Sequence, residues 1–264
     1  MISRVGIVVP TLGKRPDYLS QCLNSISASG SGVNKPFVVM VAPDDFDSSM
    51  LLDNGLVHQV LRDPGTGLAA AINAGFDAMP TQIEYINWLG DDDMLSPASL
   101  DICASRLDQD SSAVMVFGGC DYVDPDGQVV WTNKSGSFAV PLMRFGPDLI
   151  PQPGALFRRE AFDVSGGLNT SYSWAFDFDL FIKLSKIGKL IHIDSTLASF
   201  RWHPESLSVE YRSKSVSEAS KVRVSHLPKL LRPISWIWEF PVKQATLIAG
   251  NRVTDAAKKK AKSK

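Results

Sequence analysis

The first 118 residues alternate short apolar runs with segments whose apolar positions recur at helical spacing. Val5 to Val9 and Phe37 to Val41 are continuous apolar runs, typical of strands buried on both faces of a parallel sheet. Between them, apolar residues from Leu19 to Ile26 recur every three or four positions, which predicts a helix. The alternation repeats up to about Gly118. We therefore predict a doubly wound α/β sheet that binds its ligands beyond the carboxyl ends of its strands.

The pattern changes after Gly118. Asp124-Pro125-Asp126-Gly127 lies between two apolar runs and predicts a β-hairpin. Prolines punctuate residues 141–153, which we expect to form a long loop. Helical spacing returns from Leu180 to Ile187, and two separate strand-like runs follow at residues 190–193 and 197–202.

The segment after about Ser206 combines aromatic and basic residues between prolines. It contains Trp236, Trp238 and Phe240 among Lys229, Arg232 and Lys243. Such a segment either lies on an anionic membrane surface or packs its aromatic side chains on the domain or on a second subunit, as in a homodimer. We therefore divide the chain into a domain at 1–205, with halves 1–118 and 119–205, and an amphipathic helical extension with a basic tail at 206–264.

Composition narrows the class of protein. The formal net charge is −1, so no overall positive electrostatic field favours binding to nucleic acid. The hydrophobic fraction, 44%, is ordinary for a soluble globular protein. The 3 cysteines do not form a metal-binding spacing or a disulfide framework. The apolar run before Pro10 is too short for a signal peptide, and we find no run long enough to span a bilayer. We expect a cytoplasmic protein, with peripheral contact at the inner face of the membrane as the other option.

Three consecutive aspartates, Asp91, Asp92 and Asp93, directly follow the apolar run that ends in Trp88-Leu89. Adjacent carboxylates repel each other and raise each other's pKa unless a cation or solvent neutralises them. At the end of a buried strand, a divalent metal with oxygen ligands is the natural neutralising group. The alternative is a solvated acidic turn at the start of the next helix.

Several polar segments lie at strand ends or helix starts in a recognisable order. They are Val8-Val9-Pro10-Thr11 followed by Arg15, Pro43-Asp44-Asp45, Gly67 to Gly75, Asn87 to Pro97 with the aspartate triplet, Leu156 to Arg159, Gly166-Gly167-Leu168, Asp177-Phe178-Asp179-Leu180 and Phe200-Arg201-Trp202-His203. This order resembles the family 2 glycosyltransferases, and the resemblance covers roughly residues 3 to 208.

The resemblance implies a GT-A fold, an α/β architecture with a Rossmann-like mixed, mainly parallel sheet flanked by helices, here with a C-terminal helical extension. It implies an inverting enzyme that moves a sugar from a nucleotide-diphosphate donor, most often a UDP-sugar, to a hydroxyl of a glycan, lipid or protein acceptor. Transfer would be a single displacement assisted by Mn2+ or Mg2+. The alternatives are a non-catalytic nucleotide-sugar or glycan-binding module, or a nucleotidyltransferase.

The same resemblance implies roles for individual residues. The donor would contact Pro10, Thr11, Arg15, Asp44, Asp45, Gly67 and Asp91, and the metal would be held among Asp91, Asp92, Asp93 and His203. Gly90 stands where the family usually has its first aspartate, so the metal ligands are either Asp92 with Asp93 or Asp91 with Asp93.

The acceptor side is implied by a second group of positions. Asp177 matches the family's catalytic base, although Phe176 stands where a Glu usually precedes it. Asp177 could instead cap the helix that it begins. Gly154 and Trp174 are expected to lie beside the acceptor.

Overall fold

The computed structural model describes residues 3–202 and 212–262, with side chains up to residue 251. Its strands are β1 (Val5–Pro10), β2 (Phe37–Ala42), β3 (Gln59–Arg62), β4 (Tyr85–Trp88), β5 (Met94–Leu95), β6 (Ala113–Val123), β7 (Val129–Asn133), β8 (Ala155–Arg158) and β9 (Lys189–Arg201). Within the described residues they form one mixed sheet in the order β3-β2-β1-β4-β8-β6-β9-β5, and β7 pairs with β6.

The N-terminal half of the sheet is parallel. β1 pairs with β2 on one side and β4 on the other, and β3 pairs with β2. The carboxyl ends of these strands, at Pro10, Ala42, Arg62 and Trp88, therefore meet along one edge. The sequence prediction of parallel strands alternating with helices in residues 1–118 is confirmed.

The second half of the sheet is mixed. β8 is antiparallel to both β4 and β6, while β9 runs parallel to β6. The prediction of two separate runs at 190–193 and 197–202 was wrong, because β9 is one strand whose register shifts opposite Gly119. The predicted hairpin joins β6 to β7, and Asp124 accepts the backbone N–H groups of Asp126 and Gln128 in its turn.

Helices cover both faces of the sheet. They are α1 (Pro16–Ala28), α2 (Ser49–Asp53), α3 (Leu68–Asp77), α4 (Ser99–Gln109), α5 (Ala139–Leu142), α6 (Arg159–Val164), α7 (Phe176–Ile187), α8 (Arg212–His226) and α9 (Trp236–Lys262). On one face, α1 and α4 bury Leu23 and Leu107 against the sheet. On the other, α3, α6 and α7 bury Ile72, Phe162 and Phe181. The two apolar clusters are the core of the domain.

The helices after residue 211 contact the rest of the protein. Val222 of α8 is fully buried in the core cluster that includes α7. Arg223 of α8 and Glu239 of α9 form a buried ion pair at 2.7 Å, which joins these two helices. Among the residues that the structure describes, no helix combines the length and the apolar character needed to cross a bilayer.

Candidate active site

The loop after β1 is tied to the aspartate triplet through Thr11. The Thr11 hydroxyl donates a hydrogen bond to Asp91 Oδ2 at 2.5 Å and accepts the backbone N–H of Gly13 at 2.9 Å. The Thr11 backbone N–H donates to the carbonyl of Val41 at 2.9 Å. Because β1 and β4 are parallel neighbours, the loops that follow them meet at one edge of the sheet. The short side chains of Thr11 and Asp91 can therefore reach each other.

The other candidate donor residues lie around the same edge. Gly13 has φ +69°, and a Cβ there would come within 2.5 Å of the Phe46 ring, so this loop packs closely on the loop after β2. In that second loop Asp44 is exposed and pairs with Arg62 at 2.9 Å, and Asp45 is exposed. Gly67, with φ +112°, lies at the exposed start of α3.

The three aspartates have different environments. Asp91 and Asp92 are partly exposed, and the Arg15 guanidinium lies 3.3 Å from Asp92 Oδ2. Asp93 is only 5% exposed, and its Oδ1 accepts the backbone N–H of Arg201 at 3.0 Å. Burial first, and then the charge of Asp92, raises the pKa of Asp93 well above its usual range. Asp91 and Asp92 thus point to the open edge, whereas Asp93 is part of the interior.

Gly90 begins the tight turn that carries the triplet. The backbone N–H of Asp93 donates to the Gly90 carbonyl at 3.1 Å. A Cβ at residue 90 would lie 3.0 Å from Asp92 Oδ1 and 3.2 Å from Asp93 Oδ2. A side chain at the family's usual first-aspartate position would therefore point toward the carboxyl groups of Asp92 and Asp93.

Arg201 anchors the triplet from the end of β9. Its side chain is almost fully buried, and its guanidinium donates to the carbonyls of Asp92 and Pro125 and to Gln21 Oε1. The guanidinium also lies 4.2 Å from the centre of the Tyr18 ring. The sequence resemblance included Arg201 but assigned it no role. The structure gives it the role of holding the turn that carries Asp92 and Asp93.

A divalent metal fits the chemistry of this edge. In the described parts of the chain, no three His, Cys, Asp or Glu side chains converge to form a complete metal cage. Mg2+ at phosphate sites commonly uses one or two protein carboxylates, with substrate phosphates and water as the remaining ligands. The partly exposed oxygens of Asp91 and Asp92 match that requirement. His203 lies outside the described residues.

The loop before β8 contacts the end of β4 directly. Gln152 Nε2 donates to the carbonyl of Trp88 at 2.8 Å and to Asn87 Oδ1 at 2.9 Å. Asn87 is fully buried and donates back to the carbonyl of Pro153. Gly154 is buried, and a Cβ there would approach the Gly119 carbonyl to 3.2 Å. Gln152 is the partly exposed residue of this loop.

The start of α7 packs against the same strand end. The rings of Phe176 and Trp88 have centroids 6.0 Å apart, so the first turn of α7, which contains Asp177, lies beside the end of β4 that leads into the triplet. Asp177 is partly buried. Burial raises its pKa to about 6, the charge of Glu218 adds to the rise, and the backbone N–H of Phe178 opposes it. Burial, followed by the charge of Asp177, raises the pKa of Asp148 well above its usual range.

Glu218 of α8 holds the start of α7 in place. Its carboxylate accepts the backbone N–H groups of Ser173, Trp174 and Ala175 at 3.1, 2.6 and 2.8 Å. Trp174 is partly exposed, and Lys214 Nζ lies 5.7 Å from the centre of its ring. Sequence reasoning missed Glu218, because nothing in the pattern after residue 206 relates it to a helix start some forty residues earlier.

A second link between α8 and α7 runs through Asp179. His226 Nε2 lies 2.7 Å from Asp179 Oδ1, and Lys183 Nζ lies 2.7 Å from Asp179 Oδ2. Although burial acts to raise the pKa of Asp179, the hydrogen bonds from His226 and Lys183 lower it. Asp179 therefore supports the fold of α7 and faces α8, which separates its role from that of Asp177.

Sequence comparison identifies similar proteins. The chain is 26% identical to chondroitin synthase of Pasteurella multocida (strain Pm70) over 219 residues, covering 79% of this chain and 22% of that protein. It is 26% identical to hyaluronan synthase of Pasteurella multocida over 216 residues, covering 78% of this chain and 21% of that protein. The chain thus spans about a fifth of the length of these curated relatives.

Solved structures share the fold. S. aureus TarS 1-349 in complex with UDP-GlcNAc has a TM-score of 0.62 at 13% identity, covering 87% of this chain and 69% of that one. Mannosyltransferase PcManGT from Pyrobaculum calidifontis, in complex with GDP-Man and Mn2+, has a TM-score of 0.64 at 17% identity, covering 100% and 80%. These are GT-A glycosyltransferases, and the predicted fold is confirmed. The sequence profile of glycosyl transferase family 2 matches residues 6–166, and the chain belongs to that family.

Proposed function

We propose that this protein is an inverting glycosyltransferase that transfers a sugar from a nucleotide diphosphate, UDP in the first instance, to a hydroxyl group of a glycan. The observation that carries the proposal is the packing around Trp88. The strand end with the aspartate triplet, the Gln152 loop and the helix start with Asp177 all meet at this residue. We infer that donor-side and acceptor-side groups face one crevice at this strand end.

On the donor side, the chain supplies cationic and hydroxyl groups at an edge rich in carboxylates. Arg15, 3.3 Å from Asp92, can shift to pair with a phosphate oxygen when a diphosphate enters. Thr11 holds the Asp91 carboxylate in place through its hydroxyl. Asp91 and Asp92 would hold Mn2+ or Mg2+, whose positive charge would stabilise the departing diphosphate. The loop residues Asp45 and Gly67 flank this edge and would contact the nucleoside.

On the acceptor side, Asp177 would act as the general base. Its carboxylate takes the proton of the acceptor hydroxyl while the oxygen forms a bond to the anomeric carbon. The bond from that carbon to the phosphate oxygen breaks with its electron pair on the diphosphate, and the configuration inverts because attack and departure occur on opposite faces. A pKa of about 6 keeps Asp177 ionised and basic at neutral pH.

The choice of donor and acceptor is supported by the relatives. The names chondroitin synthase and hyaluronan synthase are those of proteins that make glycans, which favours a glycan acceptor here. Trp174, partly exposed just before Asp177, would offer a sugar ring an apolar platform. A lipid-linked or protein acceptor would use the same base and the same donor edge.

The test is a transfer assay with a panel of nucleotide sugars and glycan acceptors, with Mn2+ or Mg2+ present. Asp177→Asn should lower kcat by about 10²- to 10⁴-fold while donor-induced thermal stabilisation is retained. The control is Asp163→Asn, which replaces an exposed aspartate on α6 and should leave transfer unchanged. Unchanged turnover in Asp177→Asn, or donor binding without turnover in the native protein, would refute the proposal.

A further inference from the structure

The first turns of α9 present a largely apolar face to solvent. Ser235, Trp238 and Glu239 face the protein, and the Trp238 ring centroid lies 5.8 Å from that of Phe145. Ser235 and Glu239 are only 7% and 5% exposed. Trp236, Ile237 and Phe240 are 70%, 57% and 66% exposed. A surface helix usually turns its large apolar residues toward the core, so three such side chains in solvent on one short stretch are unusual.

Helical geometry places the exposed residues on one side. At about 100° per residue, positions 236, 237, 240, 244 and 248 fall within an arc of roughly 120°. We call these residues, Trp236, Ile237, Phe240, Gln244 and Ile248, the outward stripe, and Gln244 is its one polar member. Ile248 is 53% exposed, so the stripe continues for several turns. Leu230, 90% exposed in the turn before α9, extends the apolar surface.

The charges around the outward stripe have one sign. Glu239 is the one acidic residue in the sequence from 228 to 251, and its carboxylate is buried against Arg223. Lys229 and Arg232 are exposed, and Lys243 is partly exposed. The sequence after Asn251 adds Arg252, the acidic Asp255 and a run of lysines from Lys258, so its net charge is positive. The apolar surface is therefore bordered by positive charge.

We propose that the outward stripe binds the surface of a bilayer that contains anionic lipids, with α9 lying in the plane of the membrane. Trp and Phe would enter the boundary between headgroups and acyl chains, while Lys229 and Lys243 contact anionic headgroups. A second copy of this chain is a poorer occupant. A two-fold contact through the stripe brings two sets of like positive charges together, whereas an anionic surface complements them.

This proposal is independent of the transfer reaction and is tested by binding alone. The full chain is sedimented with vesicles of phosphatidylcholine, or of phosphatidylcholine mixed with phosphatidylglycerol. We expect binding to the mixed vesicles, about tenfold or more weaker binding to neutral vesicles, and weakening with added salt. Removing both charges in Lys229→Gln/Lys243→Gln should weaken binding roughly 25-fold.

Charged substitutions in the stripe provide the second arm. Trp236→Glu/Phe240→Glu should abolish sedimentation while the far-ultraviolet circular dichroism stays native, because both side chains are exposed. The matched control is Ile102→Glu, on α4 against the opposite face of the sheet, where the side chain is 42% exposed and binding should be unaffected. Absence of vesicle binding, equal binding to neutral vesicles, equal loss in the Ile102→Glu control, or self-association that the stripe variant abolishes would overturn the proposal.

Discussion

Glu218 Oε2 accepts the backbone N–H of Ala175 at 2.8 Å, two residues before Asp177. The same oxygen accepts the N–H of Trp174 at 2.6 Å, so a residue of α8 fixes the entry into α7. Its charge also adds to the raised pKa of Asp177. Glu218 is thus a positioning residue for the proposed base, and it lies beyond the stretch that the family profile matches.

We predict that Glu218→Gln lowers kcat by about tenfold or more and moves the acidic limb of the pH–rate profile downward from about pH 6. A neutral amide no longer raises the pKa of Asp177, so the base stays ionised to lower pH. The amide also offers one acceptor oxygen instead of two, which weakens the cap by about 1–3 kcal/mol. The measurement is kcat and kcat/KM, each against pH.

The control for this experiment is Glu160→Gln, an exposed glutamate on α6. Glu160→Gln should leave both kcat and the midpoint of the acidic limb of the pH–rate profile unchanged. If Glu218→Gln loses activity equally at every pH with an unmoved midpoint, Glu218 contributes to stability alone.

Asp177→Asn should make the protein more stable at pH 8 while it removes activity. The folded-state pKa of Asp177, about 6, lies above its ordinary value of 3.8. Stability from the protonated carboxyl is therefore fully present below about pH 4 and is lost as the pH rises through 6. Holding the charged Asp177 carboxylate in the folded state costs stability at pH 8. For each kcal/mol of that cost, we expect the Tm of Asp177→Asn to exceed that of the native protein by roughly 2–4 °C. The difference should shrink toward pH 4.

Thermal unfolding from pH 4 to 8, run beside Asp163→Asn, measures this difference. Because Asp163 is exposed, the Tm difference between Asp163→Asn and the native protein should stay constant from pH 4 to 8. A constant Tm difference for Asp177→Asn, or one that grows as the pH falls, would contradict the raised pKa.

Much of the fold could be predicted because its strands are buried on both faces. The apolar runs at Val5–Val9 and Phe37–Val41 can be recognised without any partner being known. Residues 155–158 could not be assigned in this way. This four-residue run ends in Arg158, and it becomes a strand because β4 and β6 hydrogen-bond to it from both sides. Short strands defined by their neighbours leave little trace in the local pattern.

The site could be predicted only in part for a related reason. Residues that follow strands, such as Thr11 and Asp91, meet at a common edge, so their proximity follows from chain order. Glu218 and Arg201 act from elements whose packing the pattern does not specify. The turn at Gly90 separates Asp93 from Asp91 and Asp92 by burial, a difference that three identical residues cannot reveal in sequence.

We predict that Asp92→Ala and Asp93→Ala fail for different reasons. Asp92 is partly exposed, so its loss should leave stability within about 0.5 kcal/mol while it weakens donor binding and the response to Mn2+. Asp93→Ala leaves the buried backbone N–H of Arg201 without its acceptor, which should cost about 1–3 kcal/mol. Urea unfolding and donor titration, each with and without Mn2+, measure both effects.

Asp101→Ala, in the first turn of α4, is the aspartate control for metal response. The Asp101 carboxylate accepts hydrogen bonds from Ser31 and Asn34 and, within the described chain, from none of the proposed donor-binding residues, so the substitution should not alter donor binding. If Asp93→Ala instead loses the Mn2+ response at native stability, and Asp92→Ala keeps that response, then Asp93 binds the metal and Asp92 does not.

The ion pair between Arg223 and Glu239 gives a stability test for the way α9 is attached. Both side chains are buried, two hydrogen bonds of 2.8 and 2.7 Å join them, and Arg223 also donates to the Gly146 carbonyl at 3.1 Å. Arg223→Met leaves Glu239 buried without a counter-charge and should cost about 3–5 kcal/mol. The double variant Arg223→Met/Glu239→Met removes both charges, so it should recover most of that loss, less about 1 kcal/mol for the bond to Gly146. The measurement is a double-mutant cycle. It compares the urea unfolding of the native protein, Arg223→Met, Glu239→Met and the double variant. A cost below about 1 kcal/mol for Arg223→Met would mean that the pair is solvated, as surface ion pairs are, and that α9 does not rest on α8 through it.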